Sequence, residues 1–184
     1  MKHNHPKIEI MDTTLRDGEQ TSGVSFVPHE KLMIARLLLE ELKVDRVEVA
    51  SARVSEGEFD AVKMICDWAA RRNLLPRVEV LGFVDGHTSV DWIHATGCRV
   101  INLLCKGSLK HCSCQLKKLP EEHIEDILAV VDYANVQDME VNVYLEDWSN
   151  GMKDSPEYVF RLMDALEQTN IRRYMLPDTL GILN

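Results

Sequence analysis

An arginine and two carboxylates lie just after the first apolar segment of the chain. In the run Ile8–Gln20, Arg16 is followed directly by Asp17, and Glu19 comes after one intervening glycine. Hard divalent cations prefer oxygen ligands, and the planar arginine side chain can bind a carboxylate through two parallel hydrogen bonds. The sequence therefore predicts a site for a divalent metal and an anionic substrate. An ion pair between exposed neighbours is the simpler alternative.

A second apolar segment, Val143–Asp147, carries a tyrosine and a carboxylate at alternating positions. Side chains two residues apart on a strand point to the same side, so Tyr144 and Glu146 would present a hydroxyl and a carboxylate together. That pair suits proton abstraction or the activation of water. An edge strand with one solvated face would show the same alternation. The segment Leu176–Gly181 offers another hydroxyl and carboxylate, but on a turn of a common type.

Short β-branched runs alternate with longer helical patterns along the chain, and these elements must position the polar residues. The predicted strands are Ile8–Met11, Arg46–Val49, Val78–Phe83, Val100–Leu104, Val141–Leu145 and Tyr174–Leu176. The predicted helices start at Pro28, Glu56, Val90, Pro120 and Ser155-Pro156. Repeated strand–helix units predict parallel strands joined by right-handed crossovers.

Two architectures fit this alternation, an open doubly wound sheet and a (β/α)8 TIM barrel. No Gly-x-Gly-x-x-Gly or Gly-Lys-Ser/Thr sequence follows a strand, which disfavours a nucleotide-binding sheet. Polar residues recur just past the strands' C-terminal ends, at Arg16, Asp17, Glu48, Ser51, Lys106, Glu146, Asp147, Asp178 and Thr179. In a barrel these ends converge on one mouth, where active sites are built. Because such a barrel needs about 250 residues, we predict a barrel truncated to about its first six strands.

The composition excludes several other classes of protein. The 184 residues are 45% hydrophobic and 28% charged, with a net charge of −9, so nucleic-acid binding is not expected. No apolar run approaches the length of a membrane span, and the first residues lack the apolar core of a signal peptide. The five cysteines form no obvious disulfide framework, which predicts a cytoplasmic protein.

Histidines and cysteines give weaker signals than the carboxylates. Exposed or helix-capping roles are expected for His29, His87, His94, His111 and His123, and a mobile tail for His3 and His5. A structural zinc site at His111, Cys112 and Cys114 is disfavoured, because the usual second pair of ligands is missing.

Two stretches resemble signatures of a known enzyme family. Asp12–Gln20 (DTTLRDGEQ) and Leu176–Gly181 (LPDTLG) are similar to motifs of the 2-isopropylmalate, homocitrate and citramalate synthases. These enzymes are metal-dependent TIM-barrel synthases related to HMG-CoA lyase. The resemblance runs from Ile8 to the C-terminus, and Val44–Ser55 and Asn142–Gly151 look closest to the citramalate branch.

This resemblance implies an acyltransferase of branched-chain amino-acid biosynthesis. Acetyl-CoA would condense with a 2-oxo acid in a Claisen-type reaction, aided by a divalent metal (Mg, Mn or Zn) that polarises the carbonyl. By motif match, Arg16 would bind and polarise the 2-oxo acid, Asp17 would ligate the metal, and Thr179 would bind the substrate carboxylate. Glu146 would assist the proton transfers. The substrate side chain would contact Tyr144, Leu81, Phe83 and Leu104. The small size of that pocket favours pyruvate.

The resemblance also implies that the site is incomplete. The family's other metal ligands come from a His-x-His pair on the next strand, beyond residue 184. We therefore expect residues 1–184 to be the N-terminal part of the catalytic barrel domain, inactive alone and a homodimer in the full-length form. A lyase of the same superfamily remains an alternative. So does a non-catalytic paralogue that binds a 2-oxo acid or a full-length subunit.

Overall fold

Six parallel strands form one sheet, in which each strand pairs with the next along the chain. The computed structural model describes residues 8–183. The strands are β1 (Met11–Asp12), β2 (Arg46–Ser51), β3 (Val78–Phe83), β4 (Val100–Lys106), β5 (Glu140–Glu146) and β6 (Ile171–Met175). Across these residues the strand order never reverses, so no switch point of a doubly wound sheet occurs. The arrangement is that of a truncated (β/α)8 barrel, which confirms the predicted fold class.

Helices connect the strands and pack on the sheet. The α-helices are α1 (Pro28–Arg36), α2 (Glu56–Ala70), α3 (Thr88–Ala95), α4 (Pro120–Val136), α5 (Trp148–Asp154) and α6 (Pro156–Glu167). Two π-helical segments, Leu37–Leu42 and His111–Leu116, lie directly after α1 and before α4. The prolines fall at first helical positions, where the missing N–H costs no hydrogen bond. The hydroxyl of Ser55 accepts a hydrogen bond from the N–H of Glu58 at 3.1 Å and caps α2. Within residues 8–183, none of the helices has the length and apolar composition needed to cross a bilayer.

The first strand is shorter than the sequence predicts. Only Met11 and Asp12 pair with β2, whereas the prediction placed the strand at Ile8–Met11. Ile10 is exposed, and its N–H donates to the carboxylate of Asp45 at 2.9 Å. The apolar residues before Met11 alternate as in a strand, but Ile8 and Ile10 are exposed and do not pair with β2.

Other strand boundaries shift in a way that matters for the site. β2, β4 and β5 extend to Ser51, Lys106 and Glu146, so these polar residues end the strands themselves. β6 begins three residues before the predicted Tyr174. α5 was not predicted, because it directly follows β5 and contains Gly151, a poor helix former.

The two faces of the sheet differ in polarity. Alternate residues of β2 to β5 pack against the helices in an apolar core, which includes Val47, Val49, Val80, Ile101, Leu103, Val141 and Val143. The residues between them include Glu48, Glu79, Asn102 and Asn142, and all four are fully buried. The Asn102 amide donates to Glu48 at 2.7 Å and to Glu79 at 2.9 Å. Branched apolar side chains usually fill a TIM-barrel interior, so this polar layer needs its hydrogen bonds to be stable.

Candidate active site at the C-terminal ends of the strands

A cavity of about 550 Å³ opens at the C-terminal ends of the strands. Its lining includes every residue that the sequence analysis assigned to the site, namely Arg16, Asp17, Leu81, Phe83, Leu104, Tyr144, Glu146 and Thr179. Gln20, Ser51, Pro177 and Asp178 complete the lining. The structure thus brings these side chains together, while their individual roles stay predictions.

Arg16 is held by two carboxylates. Its Nε–H donates to Oε2 of Glu48 at 2.6 Å, and its Nη1 group donates to Oδ1 of Asp17 at 2.8 Å. Burial alone would lower the pKa of the Arg16 guanidinium, but the carboxylates of Glu48 and Asp17 together outweigh burial and raise that pKa. Arg16 therefore remains a cation in the cavity, as a ligand for an anionic substrate must.

Glu48 is the site component that the sequence analysis missed. It was noted as a strand-end carboxylate but received no role. Its side chain is 0% exposed, and it accepts hydrogen bonds from Arg16 and from the Asn102 amide. Burial raises the pKa of Glu48, with the nearby Glu79 carboxylate acting in the same direction. The expectation that Glu48 lies past the end of its strand is wrong, because β2 continues to Ser51 and Glu48 lies within it. A glutamate inside the apolar run Arg-Val-Glu-Val was the available signal, but its partner Arg16 lies 32 residues away.

Tyr144 and Glu146 both reach the cavity, as strand alternation predicted. The edge-strand alternative is wrong, because β5 pairs with β4 on one side and with β6 on the other. Burial, together with the neighbouring Glu48 carboxylate, raises the pKa of the Tyr144 phenol. Tyr144 is therefore a neutral hydroxyl at physiological pH.

Glu146 forms an ion pair with Lys106, the last residue of β4. The backbone N–H of Lys106 donates to Nε2 of His123 at 3.1 Å, so β4 is tied to α4 at this end. The expectation that His123 is exposed or a cap is wrong, since its side chain is buried. Burial lowers the pKa of His123 to about 4, which keeps the ring neutral and Nε2 available as an acceptor.

Thr179 lies at the rim of the cavity, next to the end of β5. Its Oγ1 accepts a hydrogen bond from the N–H of Asp147 at 2.9 Å. Asp147 adopts a left-handed backbone conformation (φ 64°), and its carboxylate accepts hydrogen bonds from Ser108 at 2.8 Å and Asn150 at 2.7 Å. These contacts fix the turn after Glu146 and place the threonine hydroxyl beside it.

Known proteins resemble this chain in both sequence and fold. The sequence model of the HMGL-like family matches residues 7–184. The chain belongs to the HMGL-like family. The solved structures similar to this HMGL-like chain include HMG-CoA lyase from Bacillus subtilis (TM-score 0.75, 21% identity, 97% of this chain and 60% of that chain). Hydroxymethylglutaryl-CoA lyase from Pseudomonas aeruginosa has a TM-score of 0.69 at 17% identity, over 97% of this chain and 60% of that chain. At these identities the likeness concerns the fold.

Relatives in sequence carry the names of three synthases. The chain is 34% identical over 181 residues to the probable 2-isopropylmalate synthase of Ignicoccus hospitalis, covering 98% of this chain and 43% of that protein. It is 34% identical to the (R)-citramalate synthase of Methanocaldococcus jannaschii (96% and 34% covered) and 36% identical to a homocitrate synthase of Methanopyrus kandleri (96% and 42% covered). The HMGL-like chain therefore spans less than half the length of these relatives, and the identities do not separate the three branches.

The donor set for a metal is partial in the described residues of this HMGL-like chain. The carboxylate of Asp17 is 60% exposed and lines the cavity beside Arg16. Among residues 8–183, no three side chains of His, Cys, Asp or Glu are grouped to hold a metal ion. His111, Cys112 and Cys114 are among these residues and do not form such a group, whereas His3 and His5 lie outside the described residues. Asp17 is therefore one candidate ligand, and a complete site does not fit within residues 8–183.

Proposed function

We propose that this HMGL-like chain carries the 2-oxo acid site of an acyltransferase that condenses acetyl-CoA with a 2-oxo acid. The observation that carries the proposal is the position of Arg16, a cation fixed by buried Glu48 on the wall of a cavity that also contains Glu146 and Thr179. A planar guanidinium suits the adjacent carboxylate and keto oxygens of a 2-oxo acid. The names of the sequence relatives support the same class of reaction.

In the proposed reaction, Arg16 binds and orients the 2-oxo acid, and the Thr179 hydroxyl donates to its carboxylate. The methyl group of acetyl-CoA loses a proton, and the new carbon–carbon bond forms at the keto carbon, whose oxygen takes up a proton. Glu146 assists these proton transfers from the end of β5, where the Lys106 ammonium balances its charge. Water then cleaves the thioester and releases the CoA thiol.

The proposed substrate is a small 2-oxo acid of the pyruvate class. The apolar part of the cavity wall consists of two aromatic side chains, Tyr144 and Phe83, and two branched ones, Leu81 and Leu104. These bulky groups would favour a short substrate side chain. Hydrophobic pockets discriminate by about 1–3 kcal/mol per methylene group. Preference for pyruvate over 2-oxoisovalerate would therefore be measurable but not absolute.

We further propose that residues 1–184 are the N-terminal part of the catalytic barrel domain. A divalent metal on Asp17 would need additional ligands from outside residues 8–183. In this proposal those ligands come from a His-x-His pair on a following strand, as the family resemblance implies. A homodimer of the full-length protein is part of the same proposal.

An assay of products separates the candidate reactions. The purified chain is incubated with Mg²⁺, acetyl-CoA and pyruvate, and free CoA thiol is measured. A matched incubation with 3-hydroxyacyl-CoA or 4-hydroxy-2-oxo acids is analysed for a released aldehyde or ketone.

The proposal expects pyruvate binding by this chain. CoA release is expected once the additional ligands are supplied in a longer chain. Carbonyl release from the hydroxy acids would assign a lyase instead, and binding without either reaction in the longer chain would assign a non-catalytic binder.

A further inference from the structure

A buried lysine joins the two backbone segments that carry Arg16 and Glu48. Lys31 lies in the first turn of α1, and its side chain is only 1% exposed. Its Nζ donates to the carbonyl oxygen of Leu15 at 3.0 Å and to that of Val49 at 3.3 Å. Leu15 directly precedes Arg16, and Val49 directly follows Glu48. One ammonium group therefore holds both segments next to the residues that form the 2.6 Å ion pair.

Two carboxylates complete the surroundings of the ammonium. Glu58 on α2 accepts from Lys31 at 2.6 and 2.8 Å, and Glu19 pairs with it at 2.6 Å. Glu19 also accepts from the N–H of Phe26 at 2.8 Å, so it closes residues 19–26 into a loop. Burial alone would raise the pKa of Glu19, but the hydrogen bonds from Lys31 and Phe26 outweigh burial and lower that pKa. An ammonium at this depth needs such partners, because its desolvation costs several kcal/mol.

The loop that carries Arg16 has little regular structure of its own. Between β1 and α1 it contains one short 3₁₀ turn, Gly18–Gln20. The N–H groups of Arg16 and Asp17 both donate to the carbonyl of Thr13, which shapes the turn but does not tie it to β2. Contacts to other elements must therefore set the position of the loop. The buried Leu15 side chain and the Arg16–Glu48 ion pair supply two of them, and Lys31 is the group that bonds the backbone of the loop and the backbone of β2 at once.

We propose that Lys31 is a positioning residue of the candidate active site, whose ammonium fixes the Arg16 loop against β2 and so orients Arg16 toward the substrate. Lys31 itself is absent from the lining of the 550 Å³ cavity. Its effect on a ligand rests on the proposed function, whereas its effect on Arg16 does not. Small displacements of a binding group can cost up to about a hundredfold in rate, so a lysine outside the cavity can control the site.

The direct test observes Arg16 by NMR in the purified chain. The side-chain Nε–Hε resonance is assigned by its loss in Arg16→Lys, and its hydrogen exchange is measured in Lys31→Met. Lys63→Met is the matched control, because Lys63 is an exposed lysine on α2. We expect exchange at Arg16 to accelerate about tenfold or more in Lys31→Met, with a similar loss of pyruvate affinity. Lys63→Met should change neither quantity.

A second variant separates an effect on Arg16 from a general loss of folding. Lys31→Met leaves Glu19 and Glu58 without their cation, so Lys31→Met is also combined with Glu19→Gln and Glu58→Gln, which removes all three charges. The proposal is overturned if this triple variant folds with unchanged exchange at Arg16. It is also overturned if the triple variant does not fold, since Lys31 would then serve the fold rather than the site. If Arg16 exchange accelerates in Lys31→Met while the wild-type chain does not bind pyruvate, the proposed function is rejected and the positioning role stands.

Discussion

The Nε–H of Arg16 donates to the Oε2 atom of Glu48 at 2.6 Å, across 32 residues of sequence. The carboxylate is fully buried on β2, while the guanidinium reaches the cavity from the loop after β1. A buried partner of opposite charge fixes the guanidinium more firmly than an exposed one, because water competes less for the hydrogen bond. The pair therefore links the polar interior of the barrel to the proposed substrate-binding position.

Replacing Glu48 with glutamine tests this link. The amide keeps the shape of the side chain but removes the charge that orients Arg16, and hydrogen bonds to charged groups contribute about 1.5–3 kcal/mol. We expect the dissociation constant for pyruvate, measured by calorimetry, to rise by about tenfold or more. Glu56→Gln, an exposed position on α2, is the matched control. Equal affinities in the two variants would show that Glu48 does not hold Arg16 for binding.

The neutral state of His123 predicts a pH dependence of stability. The pKa of His123 is about 4 in the folded protein because of burial, against an ordinary value of 6.5. Between these values the unfolded chain binds more protons, so stability rises with pH and is lost as the pH falls from 6.5 toward 4. In His123→Gln, the amide oxygen can accept from Lys106 without titrating, and this part of the pH dependence should disappear. Urea unfolding of the wild type and of His123→Gln at pH 7 and pH 4.5 measures this change in the free energy of unfolding.

His29→Gln is the control for that experiment, since His29 is exposed at the start of α1. Its pH dependence should match that of the wild type. A wild-type slope that persists in His123→Gln would assign the titration to other groups.

Close packing of Gly151 in α5 against the segment after β4 predicts a strict size limit. A Cβ atom at position 151 would overlap the carbonyl oxygen of Gly107, which is backbone and cannot move aside easily. We expect Gly151→Ala to lower the free energy of unfolding by about 1–3 kcal/mol. Gly57→Ala in α2 meets only ordinary contacts and should stabilise by about 0.5–1 kcal/mol. Thermal unfolding measures the stability of both variants. Equal effects would show that the backbones at Gly151 and Gly107 are less closely packed than the structure indicates.

Shortening Leu81 tests the size of the substrate pocket. Leu81→Ala removes apolar volume from the cavity wall, and we expect the affinity for 2-oxobutanoate relative to pyruvate to rise by about tenfold. Leu42→Ala, at an exposed position, should leave the ratio unchanged. Because Leu81 is buried, circular dichroism must first show that the variant is folded. A constant ratio would remove Leu81 from the substrate pocket.

Sequence alone predicted the site wherever strand periodicity governed it. Tyr144 and Glu146 follow from the alternation of β5, and the convergence of strand ends follows from the repeated strand–helix units. Glu48 and Lys31 could not be predicted, because their partners come from distant segments and no local pattern specifies them. His123 was misjudged for the same reason, since the acceptor role depends on the backbone of Lys106.

Calorimetric titration of pyruvate into the chain in Mg²⁺ buffer tests the central proposal most directly. Propionate, which lacks the keto oxygen, is the matched ligand, and Arg16→Lys is the matched variant, because lysine keeps the charge but loses the planar fork. We predict that pyruvate binds to the wild type, that propionate binds at least about tenfold more weakly, and that Arg16→Lys loses pyruvate affinity by a similar factor. Equal affinity for the two acids, or an Arg16→Lys variant that binds pyruvate as well as the wild type, would contradict a 2-oxo acid site at Arg16.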